Sequence, residues 1–259
     1  MKDNFFIKVI LSLAFSICII FLATPILALF LSPWIKAISI FKDEFVISAF
    51  LTSIKSTFIS LIIITIFGMP TAYVMARVEF KFKQVVGLII EMPLVLPPAV
   101  AGLLLLIAFG KYGIVGKYLY KIGIQLPFSF MAVIIAQVFV SMPIFIKTVK
   151  SGIEKVDRDL EVTALTLGDT PFKVFKRITL PLCKNSIITG AVLSWTRSLA
   201  EFGATIMFAG NLLGKTQTLP LAIYTAMEQD MNLALSIAVM LVFISILVLI
   251  ILKKIANES

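Results

Sequence analysis

Five stretches of the chain run without a single charged side chain: Val9 to Trp34, Ser56 to Ala76, Met92 to Gly110, Ile122 to Ile146 and Met231 to Leu252. Each can supply the ~20 apolar residues that a helix needs to cross a hydrocarbon core about 30 Å thick. A soluble fold of 259 residues has no interior large enough to hide them all. Composition agrees, with 60% apolar and 14% charged residues and a mean hydropathy of +1.07, against roughly half apolar and a quarter charged in soluble domains. Lipid is the solvent that fits.

A sixth stretch, Asn185 to Gly210, is apolar and long enough but contains Arg197 and Glu201. No stretch shows the alternation of a barrel strand, so the spans are expected to be helices. The fold expected is all-α and polytopic: one domain over 1–259 with six transmembrane helices at about 9–34, 48–76, 86–110, 128–147, 185–210 and 231–252. Lys2 and Lys8 precede the first run as they would in a signal peptide. That run is far longer than a 7–15-residue signal core, so it reads as a retained helix.

The net charge of +9 does not point to nucleic acid, because the basic residues bracket apolar runs instead of clustering on a polar domain. With the N-terminus inside, 15 basic residues fall in inner segments and six (Lys36, Lys42, Lys111, Lys117, Lys121 and Lys215) in outer ones. That asymmetry places both termini in the cytoplasm. The chain has no histidine, which removes His-based catalysis and most zinc or haem sites. Cys18 and Cys183 lie in or beside apolar segments and read as small apolar residues. No metal site is expected.

The longest polar segment, about 148–184, is longer than a helix–helix connection requires. Its chemistry predicts two short helices joined by a tight turn. Asp157 caps the first, Asp159 and Glu161 sit in its first turn, and Gly168 takes the left-handed position after it. Thr170 caps the second, with Pro171 as its first residue. Such a hairpin is either a surface that another protein grips or an amphipathic element lying on lipid headgroups.

The same segment resembles the cytoplasmic loop of binding-protein-dependent ABC importer permeases, in which an acidic and alanine group is followed by a Gly and then by Ile-x-Leu-Pro. Ala164, Gly168, Ile178, Leu180 and Pro181 match in register. Val162 stands where the general family has its Glu and Thr163 replaces an Ala. A Glu one residue earlier, here Glu161, is similar to the molybdate and tungstate branch. Phe67 to Arg77 resembles the end of that family's second span. Met92 to Gly102, Arg197 to Thr205 and Thr218 to Thr225 resemble segments of the molybdate and sulfate branch.

The resemblance implies a half-transporter. A second copy would complete a homodimer, each copy seating its loop, with Phe172 beside Pro171, on one of two cytoplasmic ATP-binding subunits. An extracytoplasmic oxyanion-binding protein would deliver molybdate or tungstate, with sulfate or thiosulfate as the alternative cargo. The setting implied is the plasma (inner) membrane of a prokaryote. The chain has no Gly-x-x-x-x-Gly-Lys-Ser/Thr loop to hold ATP phosphates. It is expected to carry no cofactor and no enzyme activity of its own, the ATP being bound by the partner.

Inside the spans, Arg197 and Glu201 are four residues apart and share a helix face. An Arg at mid-bilayer costs ~2.5–3.5 kcal/mol, and eight Leu, Ile, Phe and Val residues between Ile187 and Phe208 return roughly 2.4–4.8. The fifth span is therefore marginal and should face the bundle interior. Its charges form a structural pair, brace a gate, touch the anion or snorkel from a shallow position. Lys55 and Glu91 lie near span ends, where snorkelling accounts for them. Pro93, Pro97 and Pro98 mark either a broken helix near a crevice or a packing kink. An oxyanion would suit backbone N–H groups and hydroxyls at such breaks, which directs attention to Ser194, Thr196, Ser198 and Thr205. A membrane enzyme would need more converging ionisable groups than Arg197 and Glu201, and a stand-alone channel or carrier would need no docking loop.

Overall fold

A computed structural model describes residues 2–31 and 43–257. The end of the first expected span and the outer-loop residues Lys36 and Lys42 lie outside these. Every regular element among the described residues is helical.

The chain begins with α1 (Lys2–Leu31) and continues through α2 (Glu44–Arg77), the pair α3 (Lys83–Val95) and α4 (Pro98–Phe109), the short α5 (Gly116–Lys121) and α6 (Phe130–Glu154). A small hairpin follows: α7 (Arg158–Thr166), then α8 (Pro171–Val174), a π-helical turn (Phe175–Thr179) and α9 (Leu180–Leu182). The last part is α10 (Lys184–Leu199), α11 (Gly203–Ala209), α12 (Leu219–Gln229) and α13 (Met231–Asn257).

Local sequence explains the boundaries. Asp43 accepts a hydrogen bond from the Phe45 N–H at 2.9 Å and starts α2, which ends on Arg77, a cation where the helix dipole favours one. Ser129 accepts from the Ala132 N–H at 3.2 Å and starts α6. Pro98 is the first residue of α4, so α3 stops just before it.

Among the described residues four helices, α1, α2, α6 and α13, are long and apolar enough to cross a membrane. The stretch expected as the third span, with its break at the prolines, is α3 and α4, bent by 118° at Leu96 and Pro97. Together they still carry the chain from Glu91, beside Lys147, to Phe109, beside Phe208. The stretch expected as the fifth span is also interrupted, at residues 200–202. By itself the 16-residue α10 reaches only about 24 Å, short of a ~30 Å core.

The core of the bundle is α2, α6 and α10. α2 and α6 run parallel: Ser60 meets Gln137, Gly68 meets Phe145 and Arg77 meets Val156. α10 returns antiparallel, with Gly190 against Val149 and Ser198 against Ser141. Contact this close depends on small residues. A Cβ on Gly68 would lie 2.7 Å from the Phe145 ring, the small-residue packing by which membrane helices associate without a hydrophobic drive. Ser60 also donates to Gln137 Oε1 at 2.8 Å, and Gln137 Nε2 donates to Ser56 Oγ at 3.0 Å.

α1 packs differently. Its described side chains are almost all exposed, Phe15 at 68% and Phe21 at 74%. In water that surface would be untenable; in hydrocarbon it has no cost.

Candidate functional site

Two sites emerge at different depths. The first is the hairpin. Asp157 accepts from the Asp159 N–H at 3.0 Å and caps α7 as its sequence predicts. Gly168 has φ +94° and closes the turn, and Pro171 opens α8. Thr170 holds the cap position of α8, but its hydroxyl makes no capping bond.

The expected docking residues divide between two faces. Glu161 turns inward and is only 7% exposed. Its carboxylate lies 2.8 Å from Arg77 Nε and accepts from Arg77 Nη2 at 3.2 Å and from the Thr179 hydroxyl at 2.5 Å. Arg77 Nη2 also donates to the Val156 carbonyl at 2.9 Å, and Arg158 Nη2 returns to the Arg77 carbonyl at 3.0 Å. One carboxylate thus ties α7, the π turn and the end of α2 together. Arg77, Arg158 and Thr179 were not singled out in the sequence for this role, since nothing in their spacing connects positions 84 residues apart.

The other face looks out. Phe172 is 73% and Leu167 84% exposed. Between α7 and α9 runs an open crevice of about 510 Å³, lined mostly by apolar side chains, Leu160, Ala164, Leu167, Ile178, Pro181 and Leu182, together with Asp159, Thr163 and Arg177. Ala164, Ile178 and Pro181 therefore belong to one surface, Gly168 is exposed at the turn beside it, and Glu161 belongs to its anchor. Cys183 sits behind the hairpin as a free thiol, and burial pushes its pKa up.

The second site is where the two interrupted spans meet. Pro98 packs on Gly203, and Gly102 packs on Ala204 and Met207. Arg197 closes α10, Glu201 lies in the break and Thr205 lies in α11. The Glu201 carboxylate is 1% exposed; one oxygen accepts from the Ala204 N–H at 2.7 Å and the other lies 2.6 Å from Arg197 Nη1, close in distance but not aligned as a hydrogen bond. Glu201 thereby caps α11 and pairs with α10 across the gap between them. Arg197 is 30% exposed on its side chain.

The hydroxyls named from sequence are mostly engaged. Ser194 donates to the Ala191 carbonyl, Thr196 to the Val192 carbonyl and Ser198 to Ser141 Oγ at 2.9 Å. Thr205 alone of the four is buried with no hydrogen-bond partner for its hydroxyl. Pro93 lies within α3, half-buried, while Pro97 and Pro98 are exposed at the bend. Lys55 is exposed, and Glu91, inside α3 and away from its polar start at Lys83, stands 3.5 Å from Lys147.

An apolar helical bundle with a hairpin whose outward crevice is largely apolar, and with two broken helices in contact at Pro98 and Gly203, defines a membrane transport subunit. Residues 68–257 match the family described as binding-protein-dependent transport system inner membrane component, and the chain belongs to that family. It is 40% identical to the probable transport system permease protein NifC of Clostridium pasteurianum, over 82% of this chain and 74% of that one. It is 38% identical to the molybdenum transport system permease protein ModB of Mycobacterium tuberculosis, over 89% and 88%. It is 31% identical to the sulfate transport system permease protein CysT of Escherichia coli, over 83% and 78%. The same fold occurs in a bacterial alginate ABC transporter solved in complex with a periplasmic protein carrying an alginate pentasaccharide. That chain has a TM-score of 0.74 and 18% identity, with 100% of this chain and 95% of that one covered.

Proposed function

We propose that the chain is the membrane-spanning permease subunit of an ATP-driven importer that takes molybdate or tungstate into a prokaryotic cytoplasm. Two copies form the pathway, two ATP-binding subunits grip the hairpins from the cytoplasm, and an extracytoplasmic binding protein delivers the anion. One observation carries the reading: a hairpin whose apolar face is left open while a buried carboxylate fixes its back to the bundle. A lipid-lying hairpin would have no need of that anchor. A docking lever needs it, because movement is transmitted only through a rigid joint.

In this reading, closure of the ATP-bound subunits draws the hairpins together and shifts the bundle, so that the contact of Pro98 with Gly203 opens and closes the pathway. Arg197, Glu201, Ser198 and Thr205 stand at that contact, and Pro93 and Pro97 shape the bend beside it. The cargo assignment is supported by the relatives named for molybdenum. The relative named for sulfate makes sulfate or thiosulfate the second reading.

The test is reconstitution in vesicles with the ATP-binding subunits and the binding protein, following ATP-dependent uptake of molybdate, tungstate and sulfate. Uptake of molybdate or tungstate that stops without ATP is expected. Uptake of sulfate alone would overturn the cargo, and uptake without the ATP-binding subunits would overturn the importer reading itself.

A further inference from the structure

We infer that Arg77 is the positioning residue through which the hairpin's movement reaches the membrane bundle. This rests on the proposed importer reading and goes further by naming the joint. Arg77 is the last residue of α2 and lies off the outward face of the hairpin. Its guanidinium holds the Glu161 carboxylate and the Val156 carbonyl, and its own carbonyl is held by Arg158. Four parts therefore converge on one residue: α2, the α6–α7 connection, α7 itself and, through Thr179, the π turn.

What α2 does with that grip follows from its other contacts. Halfway along, Ser56 and Ser60 bond to Gln137 of α6. Near its start, Ser53 Oγ accepts from the Leu219 N–H at 2.7 Å, while Val46 and Ala49 pack with Leu219 and Ala222 of α12. α2 is thus bonded at its foot to the hairpin, at its middle to α6 and near its start to α12. Such a helix transmits displacement as one body. Apolar packing also joins hairpin and bundle, the Phe175 ring lying edge-on to Tyr73 of α2 with centroids 5.2 Å apart, but such contact is less directional than the Arg77 bonds.

The arginine suits a joint better than a lysine would. Its planar fork engages the carboxylate and the Val156 carbonyl with little loss of freedom per bond, whereas an ammonium is a single point of charge. Burial raises the demand on the pair, since a lone charge left behind there is costly.

The experiment measures anion transported per ATP hydrolysed in vesicles holding the permease, its ATP-binding subunits and the binding protein. Arg77→Ala is expected to keep the ATP-binding subunits bound and hydrolysing while transport per ATP falls about 10-fold, within the range typical of coupling between sites. Arg77→Lys should fall between the two. The swap Arg77→Glu with Glu161→Arg should recover part of the loss. A normal transport-to-hydrolysis ratio in Arg77→Ala overturns the inference while leaving the importer reading intact. Loss of the ATP-binding subunits from all three variants would also overturn it, since Arg77 would then serve folding or docking instead of transmission. Absence of ATP-dependent uptake in the unaltered protein would sink the importer reading instead.

Discussion

Gly203 stands so close to Pro98 that a Cβ on the glycine would lie 2.5 Å from the proline Cβ. The breaks in the two interrupted spans therefore touch. One turn further on, a Cβ on Gly102 would lie 2.6 Å from Met207 Cβ and 2.7 Å from the Ala204 carbonyl oxygen. Backbone on either side leaves little room to yield. Gly203→Ala and Gly102→Ala are each expected to lower stability by about 1–3 kcal/mol, the usual cost of overpacking, and to alter transport. A thermal melt of the purified protein and an uptake assay check this. Wild-type values for both variants would mean that the breaks do not pack as described.

Arg197 and Glu201 make a second prediction, which ranks variants. Glu201 is the more buried partner and caps α11 as well as pairing, so Glu201→Ala removes both functions. Glu201→Gln keeps an acceptor for the Ala204 N–H and loses only the charge pair. Glu201→Ala should therefore cost roughly 3 kcal/mol, the low end for breaking a buried pair, and Glu201→Gln clearly less. Equal losses in the two variants would assign the whole effect to charge and none to the cap.

Much of this architecture was legible in the sequence. Charge-free runs marked the apolar segments, and Asp157, Gly168 and Pro171 drew the hairpin, because caps and turns are set by neighbours. The breaks were legible only in part. Pro97 and Pro98 announced one, but nothing as plain marks the stop after Leu199, where Glu201 reaches forward to Ala204. The Arg77 anchor was not legible at all. Its partners lie 79 to 84 residues away in sequence, and only folding brings them together. Gln137 could have been found, as an amide inside a run otherwise almost free of polar groups, where an unpaired polar side chain would be costly.

The Gln137 network tests how much such a bond contributes. Gln137→Leu deletes the bonds to Ser56 and Ser60 but leaves an apolar side chain of similar size. Hydroxyls on a helix can turn back to carbonyls of their own helix, so neither serine need stay unpaired. The expected loss is about 0.6 kcal/mol and below 2, as for other interhelical hydrogen bonds in membranes. A melting shift corresponding to more than that would mean the network holds α2 and α6 in register, beyond simple packing.

Gly168 separates backbone strain from contact. At φ +94° with nothing within 4 Å of a notional Cβ, Gly168→Ala should cost only the left-handed conformation, about 1–2 kcal/mol. Phe172→Asp should leave the fold untouched, since that side chain is 73% exposed, yet release the ATP-binding subunits. Co-purification distinguishes the two: association is kept in the first variant and lost in the second.

Cys183 offers a probe of hairpin integrity. Burial raises its thiol pKa, so at neutral pH it holds less reactive thiolate than an ordinary cysteine at ~8.5. Because the folded thiol keeps its proton more tightly than the unfolded one, its contribution to stability is complete below the unfolded pKa and is lost as pH rises through the folded value. A water-soluble maleimide should therefore label Cys183 slowly at pH 7 and faster as pH climbs. Arg77→Ala, by loosening the hairpin from α2 and opening the space behind it, should speed labelling at fixed pH. Labelling of Cys183 as fast as that of a free thiol in the unaltered protein would show that the hairpin does not cover it.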